Sequence, residues 1–204
     1  MATSKKKKAG NKADQDARSR ILERSVDLFY YQGVHATGIN QIIREAAVAK
    51  DTLYRLFPSK DRLIEESLII WGRRLVVLWE RKLKGAGNPE ELFRNWIKLE
   101  KDSLRKLPGY NGCPVATIMM ELGRNGSEGL RKAASEIENK WQSFLASEFA
   151  RFQKEGSLDP SADAYLLARQ TLTVYQGGLT MWRISDDANY MAEMESSFLK
   201  LIRR

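Results

Sequence analysis

The sequence has very few of the residues that build metal sites, disulfide bonds and covalent active sites. Among its 204 residues there is one cysteine, Cys113, and one histidine, His35. A single cysteine cannot form an internal disulfide, and one cysteine with one histidine cannot supply the ligands of a structural zinc site. We therefore expect a reducing compartment, no metal and no cofactor.

Glycine-rich nucleotide-binding motifs are missing too. The chain contains neither the P-loop pattern nor the glycine fingerprint of a dinucleotide-binding turn. Adjacent glutamates such as Glu65 and Glu66 are typical of solvated helix faces, not of an acid–base pair. Hence we predict no catalytic residue and no enzyme, although an enzyme that uses Cys113 together with His35 stays open as a rival interpretation.

Long hydrophobic runs are also absent. No apolar stretch approaches the ~20 residues that a membrane-spanning helix needs. The lysines near the N-terminus are not followed by the apolar segment of a signal peptide. These two observations predict a cytoplasmic protein that does not enter a membrane.

Alternating strand patterns do not occur, and the apolar residues, 43% of the chain, recur instead every three or four positions. This spacing predicts an all-α fold of about nine helices. We divide the chain into three regions: a basic tail over residues 1–13, which has no periodicity and is expected to be disordered, a region of short helices over 14–62 and a larger helical region over 63–204. The first helix is expected to begin at about Asp16.

Two short helices joined by a tight turn lie in the 14–62 region. In the first, Ile42 and Ala46 share one face, and in the second, Leu53 and Phe57 do the same. The connection around residues 47–49 is long enough only for two helices that cross at a steep angle. This is the geometry of a helix-turn-helix, whose second helix enters the major groove of DNA.

The positive charge is concentrated in the same part of the chain. The formal net charge is +8; residues 1–62 hold 13 Lys and Arg against 7 Asp and Glu, whereas residues 63–204 hold 21 against 19. A basic region on a nearly neutral body is typical of a protein that binds the phosphate backbone. The alternative is a solubilising tail, because four of these charges are the consecutive lysines 5–8.

The run from Ala49 to Leu63 reads Ala-Lys-Asp-Thr-Leu-Tyr-Arg-Leu-Phe-Pro-Ser-Lys-Asp-Arg-Leu. It resembles the DNA-binding domain of TetR-family transcriptional repressors, in which the corresponding run is Ser-Lys-Gly-Thr-Leu-Tyr-x-His-Phe-x-Ser-Lys-x-x-Leu. The resemblance covers residues 17–63. It implies a helix-turn-helix DNA-binding domain over 14–62 and a ligand-binding and dimerisation domain over 63–204. Four positions depart from the family pattern: Ala47 replaces the turn glycine, Ala49 the capping serine, Asp51 a glycine and Leu56 a histidine.

The exposed side of the second short helix and the ends of both short helices supply the candidate DNA contacts. We expect base contacts from Lys50, Asp51, Thr52 and Arg55, with Asn40 as a further candidate, and phosphate contacts from Thr37, Tyr54 and Lys60. Two alternatives stay open. The Thr37 hydroxyl could serve as a local cap, and the Tyr54 ring could pack against the fold.

All five tryptophans lie in the region 63–204, together with methionines. Aromatic side chains and flexible methionines inside a helical bundle suit an apolar ligand cavity, and the family resemblance implies an effector pocket here. The candidate ligand-binding residues are Trp71, Leu75, Trp96, Met119, Leu122, Trp141, Tyr175 and Trp182. For each of them, the alternative is that the side chain simply fills the core.

The combined interpretation is a repressor that binds a near-palindromic, double-stranded DNA operator as a homodimer and is released by a small apolar or aromatic effector. The last two helices carry more apolar surface than one chain covers, so they are expected to form the dimer, through Leu172 and Val174 or through Phe198 and Leu201. The long fourth helix is expected to carry the signal. The alternative is a helical small-molecule-binding protein without specific DNA binding.

Overall fold

The computed structural model describes residues 2–123 and 126–203, and in this part of the chain it contains no β-strand. Nine α-helices lie within the described residues: α1 (Ala2–Tyr31), α2 (Ile39–Glu45), α3 (Lys50–Leu56), α4 (Lys60–Lys82), α5 (Pro89–Lys106), α6 (Pro114–Leu122), α7 (Glu128–Lys154), α8 (Ala164–Ser185) and α9 (Asn189–Ile202). The predicted all-α fold is therefore confirmed. None of the helices described here is both long enough and apolar enough to span a membrane.

Local capping explains where the longer helices begin. α4 starts directly after Ser59, whose Oγ accepts a hydrogen bond from the Arg62 N–H at 3.1 Å. α5 starts at Pro89, and the Asn88 side chain accepts from the Glu91 N–H at 2.8 Å. Serine and asparagine before the first turn, and proline at its first position, are the residues that favour a helix start.

α1 is longer than the sequence pattern predicted. The helix was expected to begin at about Asp16, but it runs from Ala2. Residues 2–13, which were assigned to a disordered tail, are therefore helical in the structure. Lysine and alanine, which are frequent in this stretch, are good helix formers, and no proline interrupts it. The missing apolar stripe therefore did not indicate a coil in this stretch.

The chain divides into two compact units. The first unit combines Met1–Trp71 with Thr117–Ala134, and the second combines Gly72–Ala116 with Ser135–Arg204. The first unit therefore includes half of α4 and most of α6 in addition to the helix-turn-helix. A single boundary at residue 63 divides the chain into two continuous parts, so it could not assign residues 117–134 to the first unit.

In the first unit, α2 and α3 both pack against α1. Val26 and Phe29 of α1, Ile42 of α2 and Leu53 of α3 are buried. Burying each such side chain stabilises the unit by roughly 1.5–3 kcal/mol. Because these residues hold one side of α2 and α3 against α1, the opposite sides of the two short helices face solvent.

In the second unit, α9 packs against both α5 and α8. The rings of Phe93 in α5 and Phe198 in α9 stack with 4.6 Å between their centroids. A Cβ atom at Gly178 of α8 would lie 2.2 Å from Met194 Cγ of α9, so this position has room only for glycine.

Candidate nucleic-acid interface

The turn between α2 and α3 has the hydrogen bonds of a Schellman motif, the helix C-cap in which glycine is usual. The Val48 N–H donates to the Ile43 carbonyl at 3.2 Å, and the Ala47 N–H donates to the Arg44 carbonyl at 3.2 Å. This pattern places one residue in the left-handed region, where glycine is usual. Here that residue is Ala47, with φ +52°. The turn therefore keeps its geometry although the glycine is replaced, at a cost of roughly 1–2 kcal/mol.

α3 presents one face to the core and the other to solvent. Leu53 lies on the inner side and is buried, while Lys50 and Asp51 are exposed on the outer side. The helix begins after Ala49, which makes no side-chain capping hydrogen bond. The expected absence of a cap is thus confirmed, and Asp51 in the first turn is the group that compensates the positive end of the helix dipole.

Arg55 has an ion-pair partner that the sequence did not indicate. Its two terminal nitrogens donate to the two carboxylate oxygens of Asp14 in α1, at 2.5 and 2.7 Å. The guanidinium holds the pKa of the Asp14 carboxyl below its usual range. Both side chains are accessible to solvent, so water and ions can compete for this pair. While the pair is formed, the paired N–H groups that would contact a guanine are occupied.

Two predicted phosphate ligands, Thr37 and Lys60, are engaged inside the first unit. Thr37 is buried, and its hydroxyl donates to the Gly33 carbonyl at 2.6 Å. Lys60 Nζ donates to the Val34 carbonyl at 2.6 Å. The local alternative for Thr37 fits this geometry better than a phosphate contact does. Lys60 holds the loop before α2, because its ammonium donates a hydrogen bond to a carbonyl oxygen of that loop.

Glu121 of α6 binds the same loop from another side, and the sequence analysis missed it. Its carboxylate oxygens accept hydrogen bonds from the Val34 N–H at 2.8 Å and the His35 N–H at 2.6 Å. The three residues belong to the first unit. The loop before α2 is therefore held by two side chains. The Glu121 carboxylate accepts hydrogen bonds from its N–H groups, and the Lys60 ammonium donates a hydrogen bond to the Val34 carbonyl.

The remaining candidate DNA contacts lie at the surface of the first unit. Asn40 in the first turn of α2 is exposed, and Thr52 is half-buried. Tyr54 is 45% exposed, so its hydroxyl is available to a phosphate. Arg44, in the last turn of α2, is a further exposed cation that the prediction omitted. Together with Lys50, these side chains form a polar surface along α2 and α3.

The eight candidate ligand-binding residues do not fall into one unit. Trp71 belongs to the first unit, where its indole N–H donates to the Val26 carbonyl at 3.1 Å, and the first unit also contains Met119 and Leu122. The second unit contains the remaining five: Leu75, Trp96, Trp141, Tyr175 and Trp182. All of these except half-buried Leu75 are buried. The burial of Trp96, Trp141, Tyr175 and Trp182 agrees with a core role, which was the alternative for each candidate.

Two cavities at the surface of the second unit are lined by other residues. One, of about 620 Å³, lies between α4 and α7 and is lined by Val76, Glu80, Lys84, Glu136, Asn139, Lys140, Ser143, Phe144, Ser147 and Glu148. The other, of about 430 Å³, lies between α5 and α9 and is lined by Arg94, Ile97, Lys98, Lys101, Leu104, Arg105, Ala188, Met191 and Glu195. None of the eight candidates lines either cavity.

The core of the second unit contains a carboxylate that the sequence analysis did not single out. Glu100 of α5 is 4% exposed. It accepts hydrogen bonds from the hydroxyls of Tyr110 and, at 3.0 Å, Tyr175. Burial raises the pKa of the Glu100 carboxyl, against the opposing effect of the two hydroxyls. A signal existed, because Glu100 falls on the apolar stripe of α5, seven residues after Phe93 and four after Trp96.

Comparison with protein families matches two parts of the chain. Residues 21–67 match the model described as bacterial regulatory proteins, tetR family. Residues 90–198 match the model of a tetracyclin repressor-like C-terminal domain. The first match contains α2, α3 and the turn between them, and the second contains the Glu100 region.

Individual relatives align over most of the chain. The HTH-type transcriptional regulator YxaF of Bacillus subtilis is 25% identical over 93% of this chain and 96% of its own length. The HTH-type transcriptional repressor KstR of Mycolicibacterium smegmatis is 27% identical over 85% of this chain and 79% of its own length. A transcriptional regulator of Cytophaga hutchinsonii has a similar solved fold, with a TM-score of 0.80 at 17% identity over 93% of this chain and 94% of its own.

Proposed function

We propose, on the premise that this chain belongs to the tetR family of bacterial regulatory proteins, that it is a repressor released from its DNA operator by a small-molecule effector. As a member of this family it is a transcriptional regulator and not an enzyme. The observation that carries the proposal is the exposed polar surface of α3, displayed by a turn that keeps its geometry despite Ala47.

In this proposal α3 enters the major groove. Lys50, Asp51, Thr52 and Arg55 read base edges, with Asn40 of α2 beside them, and the exposed Tyr54 hydroxyl binds a phosphate. Arg55 must leave Asp14 to make a bidentate contact with guanine. Because the ion pair is exposed to solvent, breaking it has a low free-energy cost. Thr37 and Lys60 act indirectly, because their polar atoms hold the loop that positions α2.

The second copy in the proposed homodimer binds through α8 and α9. Leu172 and Phe198 are buried within one chain, so they are unsuited to the contact expected of them. α8 has another apolar face, on which Met181 is 41% exposed and Ile184 is 73% exposed. Gly177 lies on that face with open space around it, so a second helix can approach closely. An isologous contact through this face produces a two-fold dimer and a near-palindromic operator.

Release requires that the effector favours a state with lower affinity for DNA. α4 was expected to carry this signal, and its Lys60 holds the loop before α2. α6 is a second candidate, since it begins in the second unit at Pro114 and carries Glu121, which binds the same loop within the first unit. A shift of either helix changes the hydrogen bonds that set the position of α2.

The first experiment measures DNA binding by fluorescence anisotropy. The probe is the DNA upstream of the protein's own gene, with a scrambled duplex of equal length as the control. We expect tight binding to the upstream DNA, which should contain a near-palindrome with half-sites about one helical turn apart, roughly 34 Å, and weaker, salt-sensitive binding to the scrambled DNA. Equal affinity for both duplexes would favour the alternative, a helical small-molecule-binding protein. The proposed site of action is the cytoplasm, where the DNA is.

A further inference from the structure

The buried carboxylate of Glu100 stands among aromatic rings in the second unit. We propose that this group is the anchor for the effector, and that the effector is a lipophilic organic cation with aromatic or apolar substituents. The proposal rests on the proposed function only for its consequence at DNA. The binding itself depends on the residues around Glu100.

Glu100 has hydrogen-bond donors but no charge partner. Its oxygens accept from the hydroxyls of Tyr110 and Tyr175. Among the described residues, the ion pairs that form do not include Glu100, and no lysine, arginine or histidine contributes to the shift in its pKa. Keeping a buried carboxylate charged without a cation is costly in a protein interior, even after relaxation. A ligand that brings a positive charge removes that cost, whereas a neutral ligand does not.

The surroundings of Glu100 suit a cation that carries apolar groups. The rings of Trp96 and Tyr175 lie 4.6 Å apart, and those of Trp79 and Trp96 lie 4.7 Å apart, measured between centroids. In the loop between α5 and α6, the ring of Tyr110 lies 5.8 Å from that of Trp182, again measured between centroids. Aromatic faces attract cations, and the attraction increases when the site is desolvated. A carboxylate within such a group of rings offers both the charge and the surface that an organic cation needs.

Polar atoms without partners point to the same region. The Trp96 indole N–H lies close enough to Glu100 to lower its pKa but does not reach a hydrogen bond. Among the described residues, no donor reaches the buried Gln176 Oε1, and the Thr171 hydroxyl, one turn before Tyr175, has no hydrogen-bond partner either. Buried polar groups in native proteins are nearly always satisfied. These groups are therefore available to a molecule that binds against α5 and α8.

Tyr110 gives the ligand a route to the carboxylate. It lies in the loop between α5 and α6 and is half-buried, in contrast to fully buried Tyr175. Gly109 and Gly112 on either side adopt positive φ values of 72° and 80°. Leu107, at the start of the loop, is 44% exposed. The ligand displaces the Tyr110 hydroxyl from Glu100, and the loop that moves is the one that leads into α6.

The test uses two ions of almost the same shape and opposite charge. Tetraphenylphosphonium and tetraphenylborate are each titrated into the full-length protein, without DNA, and binding is followed by calorimetry and by tryptophan fluorescence. We expect the cation to bind at least tenfold more tightly than the anion. Glu100→Gln should weaken cation binding at least tenfold and leave the weak binding of the anion unchanged. Equal binding of the two ions, or no binding of the cation, would overturn the proposal.

Two control variants separate the anchor from general effects. Asp102→Asn removes a carboxylate from the same helix, where Asp102 pairs with Arg105 outside the cluster, and it should leave cation binding unchanged. Tyr110→Phe removes the hydroxyl that the cation displaces, so binding should be equal or tighter. Loss of binding in Asp102→Asn comparable to that in Glu100→Gln would show a general charge effect and contradict the anchor role.

The same titration in the presence of operator DNA separates the cation site at Glu100 from effector-controlled release of DNA. We expect tetraphenylphosphonium to lower operator affinity in the wild type and not in Glu100→Gln. A cation that binds through Glu100 but leaves operator affinity unchanged contradicts effector-controlled release and supports the cation site. An operator-binding protein that does not bind the cation overturns this inference while the proposed DNA function stands.

Discussion

The two units differ in the surroundings of a central charged or titratable group: the first has an exposed ion pair, and the second has a buried carboxylate. In the first unit, Arg55 meets Asp14 at the surface, with 54% and 41% of the two side chains exposed. In the second, Glu100 is 4% exposed and, among the described residues, forms no ion pair. A surface ion pair is easily exchanged for another partner such as a phosphate, whereas a buried carboxylate without an ion-pair partner is costly to keep charged. The predictions below test this contrast.

The largest effect is expected at the proposed dimer face. Met181→Glu combined with Ile184→Glu places charges on exposed apolar positions of α8, so the variant should fold but remain monomeric. Without two linked half-sites, operator affinity should fall by about a hundredfold or more. Sedimentation and anisotropy measure the two effects. The pair Ala150→Glu and Lys154→Glu on exposed positions of α7 is the control, and a dimeric Met181/Ile184 variant would place the interface elsewhere.

Glu100→Gln should stabilise the protein at neutral pH. Burial raises the pKa of Glu100 in the folded state, so between the unfolded pKa of about 4.3 and the higher folded pKa the folded chain holds the extra proton. Stability of the wild type therefore falls as pH rises through this window, and the variant lacks this component. We expect a gain on the order of 1 kcal/mol at pH 7.

Urea unfolding of both proteins at several pH values, read by tryptophan fluorescence, measures that difference. The other titrating groups are common to both proteins, so the comparison isolates Glu100. A variant that is less stable than the wild type at neutral pH would mean that the buried carboxylate is satisfied without a cation.

Ala47→Gly should stabilise the helix-turn-helix by about 1 kcal/mol, since glycine adopts the positive φ at this position without a steric penalty. Amide hydrogen exchange in peptides covering α2 and α3 should slow by about fivefold. The control is Ala36→Gly, an exposed position of the same unit that is not among the residues with positive φ. Faster exchange in both variants would show that the strain at Ala47 is already relieved.

The smallest effect is expected from Asp14→Asn, which releases Arg55. DNA affinity should rise about two- to fivefold, because the competing carboxylate is lost and the net charge of the surface becomes more positive. Asp16→Asn makes the same charge change on the same helix without an Arg55 contact. If both variants tighten binding equally, the effect is only long-range charge and the pair itself does not compete with DNA.

The sequence predicted features whose causes are local. The missing cap at Ala49 and the glycine position at Ala47 depend on neighbouring residues, and the structure has both of them. The apolar spacing of α2 and α3 likewise predicted their buried sides correctly. Helix α1 departs because a run of good helix formers can be helical without an apolar stripe.

Contacts between distant segments were not predictable in this way. Asp14 lies 41 residues from Arg55, and Glu121 lies 87 residues from Val34. Glu100 and Tyr175 are 75 residues apart. Each of these residues looks like an ordinary polar position in the sequence, and only the folded chain brings its partner near. Helix α3, whose residues are contiguous, was therefore easier to propose as a candidate site than the polar cluster of the second unit.

The most direct test of the account is a salt titration of Arg55→Ala on operator and scrambled DNA. Arg94→Ala, an exposed arginine of the second unit, serves as the matched control. If α3 reads base edges, Arg55→Ala should cost about 1–3 kcal/mol on the operator and much less on the scrambled DNA, with Arg94→Ala unchanged on both. An equal loss on both DNAs would assign Arg55 to the backbone, and no loss on either would contradict the claim that this helix-turn-helix is the DNA-reading surface.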